Sequence, residues 1–240
     1  MKKTILFVLL TTITTICTAQ KNWNFEISAS STINSGNVND LSLKNAETIK
    51  RNDSLISYEL NYKFVYNKKD SEETNKGTTA GFKTDLFQYG KWSPYWAMEY
   101  FSNKYKGYDN KWSALAGVKY RIYNKPDTCD YSISTAVVYD NVDYTPEENT
   151  LDNEVYRLSI RPKIKQKIGE TLYLLHNTFY QPNLKDFRDY LITSTTKLEN
   201  KLGKKLYLQI SFEYEYRSKV PTEDYKKSDI CTEIGLKLKL

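Results

Sequence analysis

The chain ends in Asp229-Ile230-Cys231-Thr232-Glu233-Ile234-Gly235-Leu236-Lys237-Leu238-Lys239-Leu240, where apolar and polar side chains alternate to the last position. A period of two is the signature of a β-strand whose two faces meet different environments. A soluble protein rarely leaves such an apolar stripe unpaired at a terminus. Behind an export signal, the stripe therefore predicts the closing strand of a β-barrel that crosses a membrane.

Composition narrows the class of protein. The 240 residues suffice for one large domain, 27% of them are charged, and the mean hydropathy is −0.65. No run of about 18 apolar residues occurs beyond the N-terminus, which excludes a helical membrane protein. Tyrosine is abundant, with 21 residues, and it favours both strands and membrane–water interfaces. This composition is typical of a bacterial outer-membrane barrel.

The N-terminus has the three parts of a secretory signal peptide. Lys2 and Lys3 precede an apolar stretch, residues 5–10, and the segment ends in Cys17-Thr18-Ala19. This order predicts cleavage after Ala19, so that residues 1–19 are a signal peptide and residues 20–240 form the barrel domain. An uncleaved anchor helix is the alternative, although the apolar core is short for a membrane span.

The mature sequence divides into about twelve alternating segments, each of the length that a tilted barrel strand needs. The clearest are residues 56–66 and 206–216. The most polar runs from Leu41 to about Ile49, the tenth runs from about Asp189 to Leu198, and residues 172–180 are apolar on both faces and stay unoriented. We expect an all-β fold: a single transmembrane antiparallel up-and-down β-barrel of about twelve strands.

The predicted connections alternate in length. Residues 67–77, 102–111, 140–153 and 217–228 are charged and rich in turn formers, whereas the connections between them are tight. Outer-membrane barrels show this alternation because periplasmic turns are minimal and extracellular loops are free to grow. An even strand number places both termini at the periplasmic side. A β-sandwich, the competing all-β fold, has no reason to alternate loop length.

Aromatic residues fall at the predicted strand ends. Tyr66, Trp112, Tyr139 and Tyr216 occupy the positions where an interfacial girdle is expected. Tyrosine also favours strands in general, so ordinary strand aromatics are the alternative interpretation.

The polar face of the strands mixes charges of both signs. In a barrel of about twelve strands the lumen is narrow, so opposite charges are expected to pair across it and fill it, unless a thin water-filled passage remains. The candidate lumen-lining residues are Glu59, Lys63, Lys83, Asp85, Glu99, Lys119, Arg121, Arg157, Arg161, Glu213, Glu215 and Lys237.

The sequence offers little catalytic chemistry. His176 is the single histidine, and an acyl hydrolase needs a serine and an orienting group near such an imidazole. The His-x-Ser-Asn signature of outer-membrane phospholipases is absent, because Thr178 stands where its serine would be. No zinc spacing, calcium loop, phosphate loop or dinucleotide motif occurs. We therefore expect no catalytic residue, no metal and no cofactor.

The cysteine positions and the net charge limit which partners the protein can have. Export permits a disulfide, but Cys129 and Cys231 fall near opposite ends of the predicted barrel, so we expect two free thiols. The net charge of +6 is spread among acidic residues, without the cluster that nucleic acid requires. The expected partners are outer-membrane lipid and, during biogenesis, the barrel-assembly machinery, with the protein a monomer.

The second half of the chain resembles a known family. Residues 116–121, Ala-Gly-Val-Lys-Tyr-Arg, resemble the Gly-x-x-Tyr-Arg region of the salt-induced outer-membrane proteins, a family of unknown function (domain of unknown function 481). The resemblance extends through residues 180–182 and 187–190 and is strongest at residues 212–221. The family usually ends in Phe, whereas this chain ends in Leu240. The resemblance implies an outer-membrane barrel with an envelope or osmotic role and brings no established enzymatic activity.

These observations favour a non-enzymatic bacterial outer-membrane protein that acts as a narrow passive pore or an envelope protein. Two alternatives stay open. One is a lipid-modifying outer-membrane enzyme that uses His176. The other is a soluble periplasmic barrel that binds a ligand.

Overall fold

The protein folds into one closed sheet of twelve antiparallel strands. The computed structural model describes residues 22–35, 41–69, 72–125, 127–145 and 151–240. Each strand pairs with its neighbours in the chain, and the last pairs with the first. The strands are β1 (Trp23–Ser35), β2 (Leu41–Asn52), β3 (Ile56–Lys69), β4 (Glu72–Leu86), β5 (Trp92–Asn103), β6 (Tyr108–Lys125), β7 (Cys129–Tyr144), β8 (Glu154–Ile168), β9 (Leu172–Pro182), β10 (Tyr190–Lys201), β11 (Leu206–Arg217) and β12 (Ser228–Lys239). The predicted up-and-down barrel is confirmed.

The C-terminal strand closes the barrel as its alternation predicts. β12 pairs with β11 on one side and with β1 on the other. The pairing with β1 runs from Ser35 opposite Ile230 to Glu26 opposite Lys239. Beyond it, the backbone N–H of Leu240 donates a hydrogen bond of 2.8 Å to the carbonyl oxygen of Phe25. Because every strand has two neighbours, no edge with unpaired backbone groups is left.

The two faces of the sheet differ in chemistry. On β7, Ser132, Ser134 and Val138 are buried inside the barrel, whereas Ile133 and Val137 are exposed on its outside. The exterior is apolar on the other strands too, and Ile234 of β12 has 54% of its surface accessible. Such an apolar exterior is stable in contact with hydrocarbon and unfavourable in water.

Strand β9 receives the orientation that its sequence leaves open. Its residues pair with residues of β8 and β10 whose facing is clear: His176 lies opposite Ile164, and Tyr180 lies opposite Ile160. Ile164 is exposed on the exterior, so His176 and Tyr180 face outward as well. Phe179, one residue before Tyr180, therefore faces the interior, where it borders a cavity.

Aromatic side chains form two belts on the exterior. Near the end of the barrel that carries the longer connections, Tyr100 packs on Trp112 with ring centroids 4.8 Å apart, and Tyr190 lies 5.8 Å from Tyr216. At the opposite end, the rings of Trp92 and Tyr120 are 4.5 Å apart. Rings with a polar tip are typical of the levels where hydrocarbon meets head groups. The exterior thus has an apolar band bounded on both sides by aromatic residues.

One predicted loop is wrong. Residues 67–77 were expected to form a long connection, but β3 continues to Lys69 and β4 begins at Glu72. Backbone pairing continues past a register shift at Asn67, so the hairpin extends as a sheet. The polar composition of residues 67–77 indicates where the strands leave the apolar band of the exterior. Backbone hydrogen bonds between strands do not require apolar side chains, so the pairing continues beyond that band.

The remaining connections alternate only in part, since residues 104–107 are no longer than residues 87–91 and β7 continues to Tyr144 inside the predicted 140–153 connection. At the end of the barrel where β1 begins and β12 ends, the connections are 53–55, 87–91, 126–128, 169–171 and 202–205. Those at the other end include 145–153, 183–189 and 218–227. The predicted 102–111 connection is shorter than expected, because Lys104–Lys106 form a 3₁₀ turn and β6 begins at Tyr108. Two strand ends also extend beyond their predictions, to Asn52 in β2 and to Lys201 in β10.

Two further predictions concern the chain termini and the thiols. The signal peptide, residues 1–19, lies outside the described residues and stays a prediction. Cys129 begins β7 at the short-turn end, whereas Cys231 lies in β12 towards the other end, and both are free thiols. Among the residues that the structure describes, no helix combines the length and apolar character of a membrane span.

Candidate functional site in the barrel interior

The barrel interior is the candidate site, because the ionisable side chains converge there. Strand alternation and pairing place all twelve predicted lumen residues on the interior face. Three examples show the placement: Glu59 lies opposite Lys83, Lys119 contacts Asp85, and Glu213 lies opposite Cys231. The interior is therefore polar, with charges of both signs.

Arg157 is the centre of the ion-pair network near the long-connection end. Its Nη2 donates to Asp189 Oδ2 at 3.0 Å, and its Nη1 donates to the carbonyl oxygens of Gln181 and Asp189, both at 3.3 Å. Asp140 lies 3.7 Å from its Nε and also binds Lys111 at 3.1 Å. Arg157 and both aspartates are buried, so these contacts replace water that the charges have lost.

A bridge crosses the barrel at the same end. Lys106, in the 3₁₀ turn between β5 and β6, reaches Glu215 of β11 with 2.7 Å between Nζ and Oε2. In the closed strand order β11 lies on the opposite wall. The Nη1 of Arg217 also donates to the carbonyl oxygen of Lys106 at 3.0 Å. Burial by itself lowers the pKa of Lys106, but the Glu215 carboxylate outweighs burial and holds that pKa well above its usual range.

Ion pairs continue towards the short-turn end. Asp85 contacts Lys83 at 2.8 Å and Lys119 at 3.3 Å, so one buried carboxylate serves two cations. At the same end of β10, Glu199 contacts Lys237 at 3.0 Å and Lys239 at 2.8 Å. Lys44 of β2 also forms a salt bridge with Glu233 of β12. Opposite charges thus pair inside the barrel, as the mixed interior face predicts.

Open space remains between these pairs. A cavity of about 400 Å³ is bordered by Lys83, Glu99, Arg157, Arg161 and Phe179. A second cavity, of about 200 Å³, is bordered by Lys44, Lys63, Lys106 and Glu233. Glu213 and Glu215 border both. Because charged side chains form much of their walls, these cavities are suited to water and polar solutes.

Several interior charges escaped the sequence prediction. Asp140 and Glu199 share the inward face with their alternate neighbours, but Asp140 falls in a predicted loop and Glu199 follows the predicted end of its strand. Longer strand predictions would have included both. Lys106 lies in a connection that folds back onto the barrel mouth, which no local pattern predicts, and Asp189 directly precedes β10, at the predicted start of the tenth strand.

His176 lies on the exterior, away from the interior network. Its Nδ1 is 2.9 Å from Thr196 Oγ1, and its Nε2 is 3.2 Å from Thr178 Oγ1. Thr178 Oγ1 is in turn 3.1 Å from Ser194 Oγ. Apolar residues of the same outward face flank this network, Leu174 below and Ile192 above. Hydrogen bonding among these groups satisfies polar atoms that would otherwise be exposed to lipid.

Solved structures of outer-membrane barrels share this fold. The NanC porin in a rhombohedral crystal form superposes with a TM-score of 0.61 at 9% identity, covering 89% of this chain and 100% of that one. The KdgM porin in complex with disordered oligogalacturonate gives a TM-score of 0.51 at 12% identity and covers 89% and 98% of the two chains. A bacterial polysaccharide outer membrane secretin gives 0.52 at 6% identity, with coverages of 92% and 99%. The chain has the porin-like fold of an outer-membrane β-barrel.

The family follows from the sequence. The family model described as "Protein of unknown function, DUF481" matches residues 27–239, and the chain belongs to this family. The predicted family is thus confirmed, whereas the salt-induced role attached to it stays a prediction. No curated protein matches the chain.

Proposed function

We propose that the protein is a narrow passive pore of the bacterial outer membrane and that it catalyses no reaction. The observation that carries the proposal is the interior of the barrel: a cavity of about 400 Å³ has walls with Lys83, Glu99, Arg157 and Arg161 in place of an apolar core. A barrel whose role was purely structural would be more stable if apolar side chains filled it, because buried charges lose hydration.

The apolar exterior supports the outer membrane as the location. The aromatic belts and the apolar band between them are typical of a barrel that crosses a lipid bilayer. β1 begins and β12 ends at the short-turn end, which faces the periplasm in barrels of this type. In this proposal the signal peptide ends at Ala19 and the barrel-assembly machinery inserts the chain into the membrane. The inserted barrel is a monomer surrounded by lipid and binds no nucleic acid.

Single-channel recording tests the pore. Purified protein in planar bilayers is expected to give discrete conductance steps that are small, because ion pairs such as Lys106–Glu215 narrow the passage. The variant Glu215→Gln removes the charge that holds Lys106 across the mouth, and it should conduct more than the wild type. Silent bilayers in several salts and voltages, for both proteins, would mean a closed structural barrel.

A second candidate function is a lipid-modifying enzyme. The observation that favours it is the network on the exterior, where Thr178 lies within hydrogen-bond reach of His176 and Thr196 contacts the other ring nitrogen. A hydroxyl, a base and an orienting group in that order are the parts of a nucleophilic site. No carboxylate or amide hydrogen-bonds the imidazole among the described residues, and this absence ranks the enzyme below the pore.

Hydrolysis of labelled phospholipid in mixed micelles separates the two functions. The enzyme requires that His176→Ala abolish release of labelled fatty acid, while Thr135→Ala, an outward-facing threonine of β7 outside the network, leaves it intact. The pore proposal expects no release that depends on His176. Equal activity in the wild type and His176→Ala eliminates the enzyme.

A further inference from the structure

One strand contributes a row of cations to the interior. Arg161, Lys163, Lys165 and Lys167 occupy successive inward positions of β8, and the outward positions between them include Pro162 and Ile164. Neighbours in the row are about 6.6 Å apart along the strand, so the row spans roughly 20 Å. It begins beside the larger cavity and ends at the short-turn end of β8. We call these four residues the β8 cation row.

The acidic side chains that act electrostatically on the β8 cation row among the described residues, Glu99 on Arg161 and Asp130 on Lys163, do not contact it. Among the described residues, none of its members forms a salt bridge. Asp130 lies opposite Lys165 in the register with β7, but its carboxylate contacts Arg121 at 3.5 Å. Other interior cations differ, because Lys83 and Lys119 both contact Asp85. The row is therefore a run of four cations that form no salt bridge among the described residues, with Glu99 and Asp130 as its acidic neighbours.

The contacts that the row does make are with a hydroxyl and aromatic rings. Arg161 donates from Nε to Ser134 Oγ at 3.2 Å, and its guanidinium lies 5.1 Å from the ring centroid of Phe179. Lys165 lies 5.9 Å from the ring centroid of Tyr173, on the same side of the lumen. These contacts orient the cations without neutralising them. Several cations in a narrow interior repel one another unless mobile anions compensate their charge.

We propose that the β8 cation row is an anion path and that the pore selects small anionic solutes over cations. This inference rests on the proposed pore function. An anion that enters the larger cavity, whose wall also carries Glu99, Glu213 and Glu215, meets the row at Arg161. An anion that moves along the row comes within reach of the next cation before it has left the previous one, because neighbouring members are about 6.6 Å apart. Multiple weak sites of this kind favour conduction, because no single site holds the ion tightly.

Reversal potentials in a tenfold gradient of KCl test the anion path. The wild type should favour chloride over potassium by a permeability ratio of roughly ten, since a row of cations without salt-bridge partners raises the local concentration of its counter-ion. The double variant Arg161→Gln/Lys163→Gln should bring the ratio close to unity. The double variant Lys204→Gln/Lys205→Gln loses the same charge in the exposed turn after β10 and should keep the wild-type ratio.

The outcomes separate the inference from the proposed function. Conductance that is unselective or cation-selective in the wild type overturns the anion path and leaves the pore intact. An unchanged ratio in Arg161→Gln/Lys163→Gln also overturns it, provided that the variant keeps the compact electrophoretic form of the folded barrel. If that variant does not fold, the wild-type ratio decides alone. Silent bilayers overturn the pore and the anion path together.

Discussion

At the scale of single residues, the interior depends on charges that have exchanged water for one another. Arg157 illustrates the balance, since five contacts to β7, β9 and the 183–189 connection surround a buried guanidinium. Burying such a charged group costs free energy because it loses its hydration. Its partners mainly offset this cost and add little net stability. Removing one partner should therefore matter more than the strength of one hydrogen bond suggests.

Asp189→Asn should destabilise the barrel by about 3–5 kcal/mol, because it leaves the buried Arg157 without its closest carboxylate. The free energy of unfolding in urea, measured in lipid vesicles, checks this value. The matched control is Asp186→Asn in the same connection, where the carboxylate pairs with Lys219 in an exposed position. Equal stability of the two variants would show that the buried pair does not hold the mouth of the barrel.

The Lys106–Glu215 bridge predicts a pH dependence. The pKa of Lys106 is raised in the folded barrel, so its contribution is fully present below the ordinary lysine pKa of about 10.5 and is lost as pH rises towards the folded value. The difference in unfolding free energy between the wild type and Lys106→Gln should be constant from about pH 7 to 9. It should shrink in more alkaline solution. A difference that grows with pH contradicts this assignment.

At the scale of elements, closure requires β1 and β12 to approach closely at Gly235. A Cβ atom built there would lie 2.3 Å from the carbonyl oxygen of Ala29 and 2.5 Å from the Cβ of Ser30. Both neighbours belong to β1 and are held by the sheet. Glycine is thus needed because the two backbones leave no room for a side chain.

Gly235→Ala should destabilise the folded barrel by about 1–3 kcal/mol, the usual cost of forcing an extra carbon into a packed region. The fraction of protein that keeps its compact, heat-modifiable form on a gel measures the effect. Gly203→Ala is the control, because a Cβ at that turn meets no atom within 4 Å. Two variants of equal stability would refute close approach at the seam.

The residues at which the strands begin and end were less predictable than the side of each strand that faces lipid. Alternation in residues 206–216 and 230–240 was sufficient to orient β11 and β12, since a side-chain period of two needs only local sequence. It could not orient β9, whose exterior carries His176 and Thr178 among apolar residues. Only the pairing of β9 with β8 and β10 decided which face meets lipid.

At the scale of the whole molecule, the exterior decides how the protein behaves in solution. Exposed Trp96, Trp112, Leu236 and Ile234 belong to a continuous apolar surface around the barrel. Surfaces of this extent are not stable in water without a covering phase. The soluble periplasmic barrel is the alternative that this surface disfavours.

The protein should remain in the membrane fraction until detergent is added. It should then migrate faster on a gel before boiling than after, because a closed hydrogen-bonded barrel resists unfolding by detergent alone. Fractionation of cells that express the full chain, followed by electrophoresis of heated and unheated samples, measures both properties. Recovery in the soluble periplasmic fraction without detergent would contradict the membrane assignment.

The sequence by itself determined the strands, their number, the apolar face of most of them and the closure through residues 230–240, because alternation and turn chemistry are local properties. The tertiary structure alone decided which charges meet. Lys106 and Glu215 are more than a hundred positions apart, and only the curvature of a closed sheet brings the turn after β5 and strand β11 to opposite walls of one lumen. The β8 cation row depends on the tertiary structure for the same reason. Whether a cation forms a salt bridge depends on where the other strands place their carboxylates.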